Sequence, residues 1–267
     1  VTALTIIEGA ALLAMPTIHN PLGITFLFTV HQIAVPLLLF TLDIFMESLT
    51  GNCEKSTGGR RGLFLTIMSL TIALSALLSG YLMGDSEPHY ALVYTTSALL
   101  LIPFLLIIRL SFKHWTDTPY HETNHVSGFA RLLHERDLRN VLLSHFMLQL
   151  FFSWMVIYMP LYLHSTLGLS WSEVGHVLFV GLMAYVLLEY VIGVLADTLL
   201  GEKEMMALGF LILAVSTSWF TFLDGTSLAL LMCAMFFTRV GASLVETTTE
   251  SYFFKHTKDE DTALISF

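Results

Sequence analysis

Residues 121–125 read His121-Glu122-Thr123-Asn124-His125. On a helix that spacing puts two imidazoles one turn apart, able to share a zinc ion, with Glu122 as general base. The stretch instead follows Pro119, sits among Thr, Asp, Asn and Gly, and lacks the apolar period of a buried helix. With 11 histidines in the chain, a chance match is also unsurprising. A membrane-embedded zinc metalloprotease is thus the rival reading, and a polar loop without metal the favoured one. A different chemistry is raised by ionisable residues inside apolar runs, Glu8, His31, Glu189 and Arg239. Such groups cost ~2.5–3.5 kcal/mol each on insertion scales, so they face a partner or a wet cavity. Counted from the outer ends of their runs, Glu189 and Arg239 both lie ~20 Å deep at ~1.5 Å per residue. Three readings stay open for them: a structural ion pair, part of a conformational latch with Asp197 or Glu246, or a proton-coupling carboxylate. Glu8 has no partner that the sequence names.

The elements that must hold these residues are long and oily. The chain has 267 residues, 55% hydrophobic and 12% charged, with a mean hydropathy of +0.74. A soluble domain carries roughly a quarter charged residues. The apolar residues fall in runs near 1–16, 21–42, 62–82, 90–108, 141–163, 174–196, 205–223 and 226–246. Each is about the length of a helix crossing ~30 Å of hydrocarbon, and none alternates as a barrel strand does. The expected fold class is therefore all-α, a polytopic transmembrane helix bundle, because helices satisfy their own backbone groups in lipid. Cys53 and Cys233 give neither a disulfide framework nor metal spacing. The net charge of −9 comes without a basic stripe, which sets nucleic acid aside.

Positive charge orients the bundle. The loops around 43–61, 109–140, 197–204 and 247–261 hold every Lys and Arg except Arg239, and the loops at 17–20, 83–89, 164–173 and 224–225 hold none. Basic residues stay on the cytoplasmic face during insertion, so the first set is expected inside, in a multi-pass protein of the cell membrane. The polar stretch 109–140 reads as a cytoplasmic linker between an N-terminal bundle, 1–108, and a C-terminal bundle, 141–267. A faint internal echo links the two: Phe40-Thr41 followed by Asp43 and Glu47, and Phe237-Thr238 followed by Glu246 and Glu250. Val1 stands inside an apolar run and Ala263 to Phe267 look like the start of another helix, so a chain truncated at both ends is expected.

At the inner end of the sixth run stands Gly193-Val194-Leu195-Ala196-Asp197-Thr198-Leu199-Leu200-Gly201-Glu202-Lys203. It resembles the cytoplasmic loop motif of the major facilitator superfamily, with the second Gly one residue late and Thr198 where a basic residue is usual. Tyr158-Met159-Pro160-Leu161-Tyr162-Leu163, Gly168-Leu169-Ser170 and Gly175 are similar to the family's seventh and eighth helices. The resemblance covers the whole chain as helices three to ten of twelve. It implies a secondary active transporter that moves a small solute by alternating access, without a cofactor, and with a proton or another ion as the candidate driver. It further implies that Gly193, Asp197, Gly201 and Lys203, with Glu189, Arg239 and Glu246, act as a conformational latch, Asp197 accepting from free N–H groups at a helix start. His31 and Gln32 then fall near the midplane on a cavity-lining helix, and His145, Gln149 and Trp154 on another. Each of these is equally able to be satisfied inside its own bundle. Drug/proton antiporters of the superfamily often carry a Gly-rich, Pro-containing fifth helix; 62–82 has Gly62 and Gly80 and no Pro, which counts against that subclass.

Overall fold

The computed structural model describes residues 1–50, 57–84, 89–112, 134–198, 201–223 and 227–256. These form helices α1 (Thr2–Ala14), α2 (Pro21–Thr50), α3 (Thr57–Met83), α4 (Tyr90–Ser111), α5 (Arg136–Leu161), α6 (Trp171–Thr198), α7 (Glu202–Trp219) and α8 (Leu228–His256). No strand occurs among the described residues. Seven of the helices are long and apolar enough to cross a membrane. The exception is α1: with its terminal turn it runs only Thr2–Thr17, short of the ~20 residues a crossing needs. The helices overrun the apolar runs mainly at the ends that bear basic residues. There α2 continues to Thr50, α5 begins at Arg136 and α8 reaches His256. Hydropathy marks only the part of a helix that sits in hydrocarbon, whereas backbone hydrogen bonding carries the helix on into the polar interface.

Packing divides the chain into two compact units: Val1–Phe64 with Tyr81–Pro119, and Leu65–Gly80 with Tyr120–Phe267. The middle of α3 therefore belongs to the second unit. In the first unit α1 packs against both α2 and α4, and Ala11, Leu12, Ala34 and Ala98 are among the residues buried there. Lipid supplies no hydrophobic drive for helices to associate, so close approach of small residues does much of the work.

In the second unit α8 is central. Of its apolar window 56% is buried, against 28% for α6 and α7. Met155, Met159, Leu163, Val177, Leu231 and Met235 form one layer of its core, and Leu148, Met206, Leu213, Ala242 and Val245 the next. Glycines set the helix spacings. A Cβ on Gly241 would lie 2.7 Å from Leu213 N and 2.8 Å from Gly209 O, and one on Gly80 would lie 2.9 Å from Gly175 Cα. Those neighbours are backbone and cannot swing aside.

The turn before α6 is also built from local chemistry. Gly168 sits at φ 70°, in the left-handed region that L side chains avoid. Ser170 and Glu173 then form a reciprocal cap: Glu173 Oε2 accepts from Ser170 N at 2.9 Å, and Ser170 Oγ accepts from Glu173 N at 3.3 Å.

Gly241→Ala is expected to lower the thermal stability of the purified protein in detergent by several degrees, since backbone must move. Gly193→Ala, whose added carbon would meet nothing closer than Thr247 Cγ2 at 3.9 Å, is expected to melt with the wild type. Equal melting of the two variants would refute the backbone-contact account of α7 and α8.

Candidate functional site

The polar residues inside the apolar helices gather in two places, one in each unit. In the first, Glu8 on α1 meets His31 on α2, with Oε1 and Nδ1 2.5 Å apart. Glu8 is 2% exposed, and its second oxygen, Oε2, has no hydrogen-bond partner among the described residues. The His31 side chain keeps 28% exposure and its ring leans toward Phe28 at 6.3 Å. The partner that Glu8 lacked in the sequence is thus His31. Depth was the available signal: Glu8 lies nine residues before Thr17 and His31 ten after Pro21, so both sit about 14–15 Å in from the same connecting loop. Gln32, next in the chain, is exposed.

The second gathering surrounds Arg239 on α8. Arg239 is 4% exposed; its stem passes Gly181 of α6, whose added Cβ would lie 3.5 Å from Arg239 Cγ. Its guanidinium carbon lies 6.0 Å from the ring centre of Phe151 and 5.8 Å from that of Phe152, both on α5. Such placement lets aromatic faces carry part of the charge stabilisation that water would otherwise supply. Tyr185, Glu189, Arg239 and Glu246 are close enough to act on one another electrostatically. Tyr185 Oη lies near Arg239 without a bond of normal geometry, and Arg239 Nε is likewise unpartnered among the described residues.

The ion pair that equal depth allowed between Glu189 and Arg239 is not among the described contacts. Glu189 instead accepts from Ser69 Oγ of α3 at 3.3 Å. The physical reason is position both along and around the helices. Arg239 is level with Gly181 and Tyr185 and turns toward α5, while Glu189 is a full turn further along α6 and turns toward α3.

The remaining expected residues scatter. His145 and Gln149 pair along α5, Nε2 to Nε2 at 3.1 Å, one turn apart on the same helix. Trp154 is 61% exposed. Gly201 caps α7 in an extended conformation and, being glycine, offers no side-chain acceptor to the first N–H groups of that helix. Lys203 pairs with Asp137 of α5 at 3.4 Å and its Nζ lies 5.1 Å from the centre of the Tyr252 ring. Asp197 falls in the last turn of α6, but its side chain is outside the described residues, as are those of Asp43 and Glu47. His121, Glu122 and His125 lie outside the described residues altogether.

The profile of the Major Facilitator Superfamily matches residues 2–267. The chain belongs to the Major Facilitator Superfamily. This Major Facilitator chain is accordingly a multi-pass membrane protein, and the superfamily's members are membrane transporters of small solutes. No individual curated protein and no solved structure matches it.

Arg239→Met is expected to destabilise the protein by about 2 kcal/mol, the scale of a desolvated cation–π contact. Tyr185→Phe removes a hydroxyl that makes no regular hydrogen bond and is expected to leave the melting temperature unchanged or raised. Differential scanning fluorimetry in detergent checks both; a large loss for Tyr185→Phe would mean that its hydroxyl holds the cluster.

Proposed function

We propose that this chain is part of a secondary active transporter that moves a small solute by alternating access. The observation that carries the reading is the family match spanning residues 2–267. In this reading residues 1–108 and 141–267 are the two bundles, 109–140 is the cytoplasmic linker, and the membrane is the cell membrane. Loss of one access state and gain of the other is then a population shift biased by the solute, and by a coupled ion where there is one.

Gly193, Asp197, Gly201 and Lys203 form the cytoplasmic latch, with Glu189, Arg239 and Glu246 behind them. In support, Gly201 leaves the start of α7 without a side-chain cap, so an incoming carboxylate finds N–H groups and the positive end of the helix dipole. The exposed Lys203–Asp137 contact adds a salt-screened tie at the same end. Solute contacts are assigned to Gln32, His145, Gln149 and Trp154, polar or amphipathic side chains that keep exposure on otherwise apolar helices, and to the open side of His31.

Two measurements test this. A thermal-shift screen of the intact purified protein against sugars, amino acids, organic ions and nucleosides is expected to yield a solute class that raises the melting point, because a ligand of the folded state stabilises it by mass action. In proteoliposomes, Asp197→Asn is expected to lower flux of that solute at least several-fold while leaving insertion intact. Unchanged flux would remove Asp197 from the latch, and the absence of flux in the wild type would overturn the transport reading itself.

A further inference from the structure

We propose that Glu8 and His31 form a proton-binding site inside the first unit, taking up and releasing one proton as a pair.

The geometry defines the two states. With Nδ1 and Oε1 2.5 Å apart, a proton must lie between them, and in the proton-poor state it is the imidazole N–H donating to the carboxylate. The pair then carries one negative charge. His31 Nε2 is the free proton acceptor of the ring, and His31 is the member of the pair that keeps exposure. A proton taken up at Nε2 makes the ring a cation beside the carboxylate, and passage of the Nδ1 proton to Oε1 leaves a neutral acid beside a neutral imidazole. Both forms have no net charge. One proton enters by the exposed ring, none is lost, and release runs the same steps backwards.

Among the described residues packed around the pair, none supplies a compensating charge. Along α1, Thr5 donates to Val1 O and not to Glu8. Between Pro21 and Leu42 of α2, His31 is the sole ionisable residue. On α4, Leu101 is level with Gly9; the ionisable residues of that helix are Tyr90 and Tyr94 toward one end and Arg109 toward the other, the nearer two each about 10–12 Å along the axis from Leu101. The negative state of the pair is therefore an uncompensated charge in a low-dielectric place, and a proton is the smallest species that removes it.

A merely structural pair fits less well. Replacing a buried ion pair with apolar residues of similar volume often leaves stability unchanged or improved, and a buried structural carboxylate is ordinarily bonded at both oxygens, whereas Glu8 Oε2 is sealed from water without a hydrogen-bond partner among the described residues. The site names the coupling ion of the transporter proposed above, and in that respect alone it rests on that reading.

Infrared difference spectroscopy on the purified full chain, titrated from alkaline to acid buffer, tests the proposal without requiring a transported solute. The wild-type minus Glu8→Gln double difference is expected to contain carboxyl and imidazole bands that change together, and His31→Gln is expected to shift or abolish the Glu8 band. Exchanging sodium for potassium at fixed pH is expected to change nothing. A flat double difference, a Glu8 band indifferent to His31→Gln, or a band that follows sodium instead of pH would each overturn the proposal. If Glu8→Gln fails to insert, His31→Gln alone decides, since the ring is partly exposed and its loss must still alter the carboxyl band. Failure of transport with these bands present would count against the transport reading and leave the proton site standing.

Discussion

A helix in hydrocarbon satisfies its own backbone, but it can do nothing for an ionisable side chain that it carries inward. That constraint governs this molecule. Each charged or titratable group inside the spans needs a local answer, and the two units answer differently. In the first, a carboxylate meets an imidazole across a single short hydrogen bond. In the second, a guanidinium lies over two aromatic rings and among acidic side chains. The rest of each unit is arranged so that these answers are possible: α1 packs against both α2 and α4 and brings Glu8 to His31, and α6 carries a glycine where the stem of Arg239 must pass.

The same constraint separates what could be read from the chain and what could not. Seven of the eight apolar runs lie on helices long enough to cross a membrane, because apolar length reflects the energy of moving groups between water and lipid; the first run, on α1, falls short. Depth follows too, since rise per residue is fixed. Azimuth does not. Glu8 and His31 match in depth by residue count and meet; Glu189 and Arg239 match by count and do not, because Arg239 turns toward Phe151 and Phe152 while Glu189 lies a turn further along α6 and turns toward Ser69. Those aromatic partners are invisible as such in a sequence with 20 phenylalanines, where any one reads as ordinary apolar lining. The loop motif around Asp197 was legible as a family resemblance, while the role of its carboxylate depends on a side chain outside the described residues. The helix ends beyond the apolar runs were not legible, because no transfer energy marks where an interfacial turn stops.

The arrangement also bears on how specificity and stability are divided. Backbone-to-backbone contacts at Gly241 and Gly80 fix how closely helices lie, and tolerate little substitution. Among the described residues the polar clusters leave atoms without a hydrogen-bond partner: Glu8 Oε2, Tyr185 Oη, Arg239 Nε. A protein selected for stability alone would have fewer such atoms. Their presence in both units fits a molecule that keeps polar groups ready for a second arrangement.

The contact of Gly80 with Gly175 has a consequence for biosynthesis. Some 95 residues separate them in the sequence, and at about 5–20 residues per second the ribosome delivers α6 roughly 5–20 s after α3. Throughout that interval the glycine face of α3 lies in the bilayer without its helical partner. Anything in the translocation machinery or the surrounding lipid that shields small-residue helix faces would thus act as a chaperone for the nascent second unit, and lengthening or stalling the intervening segment would prolong the exposure.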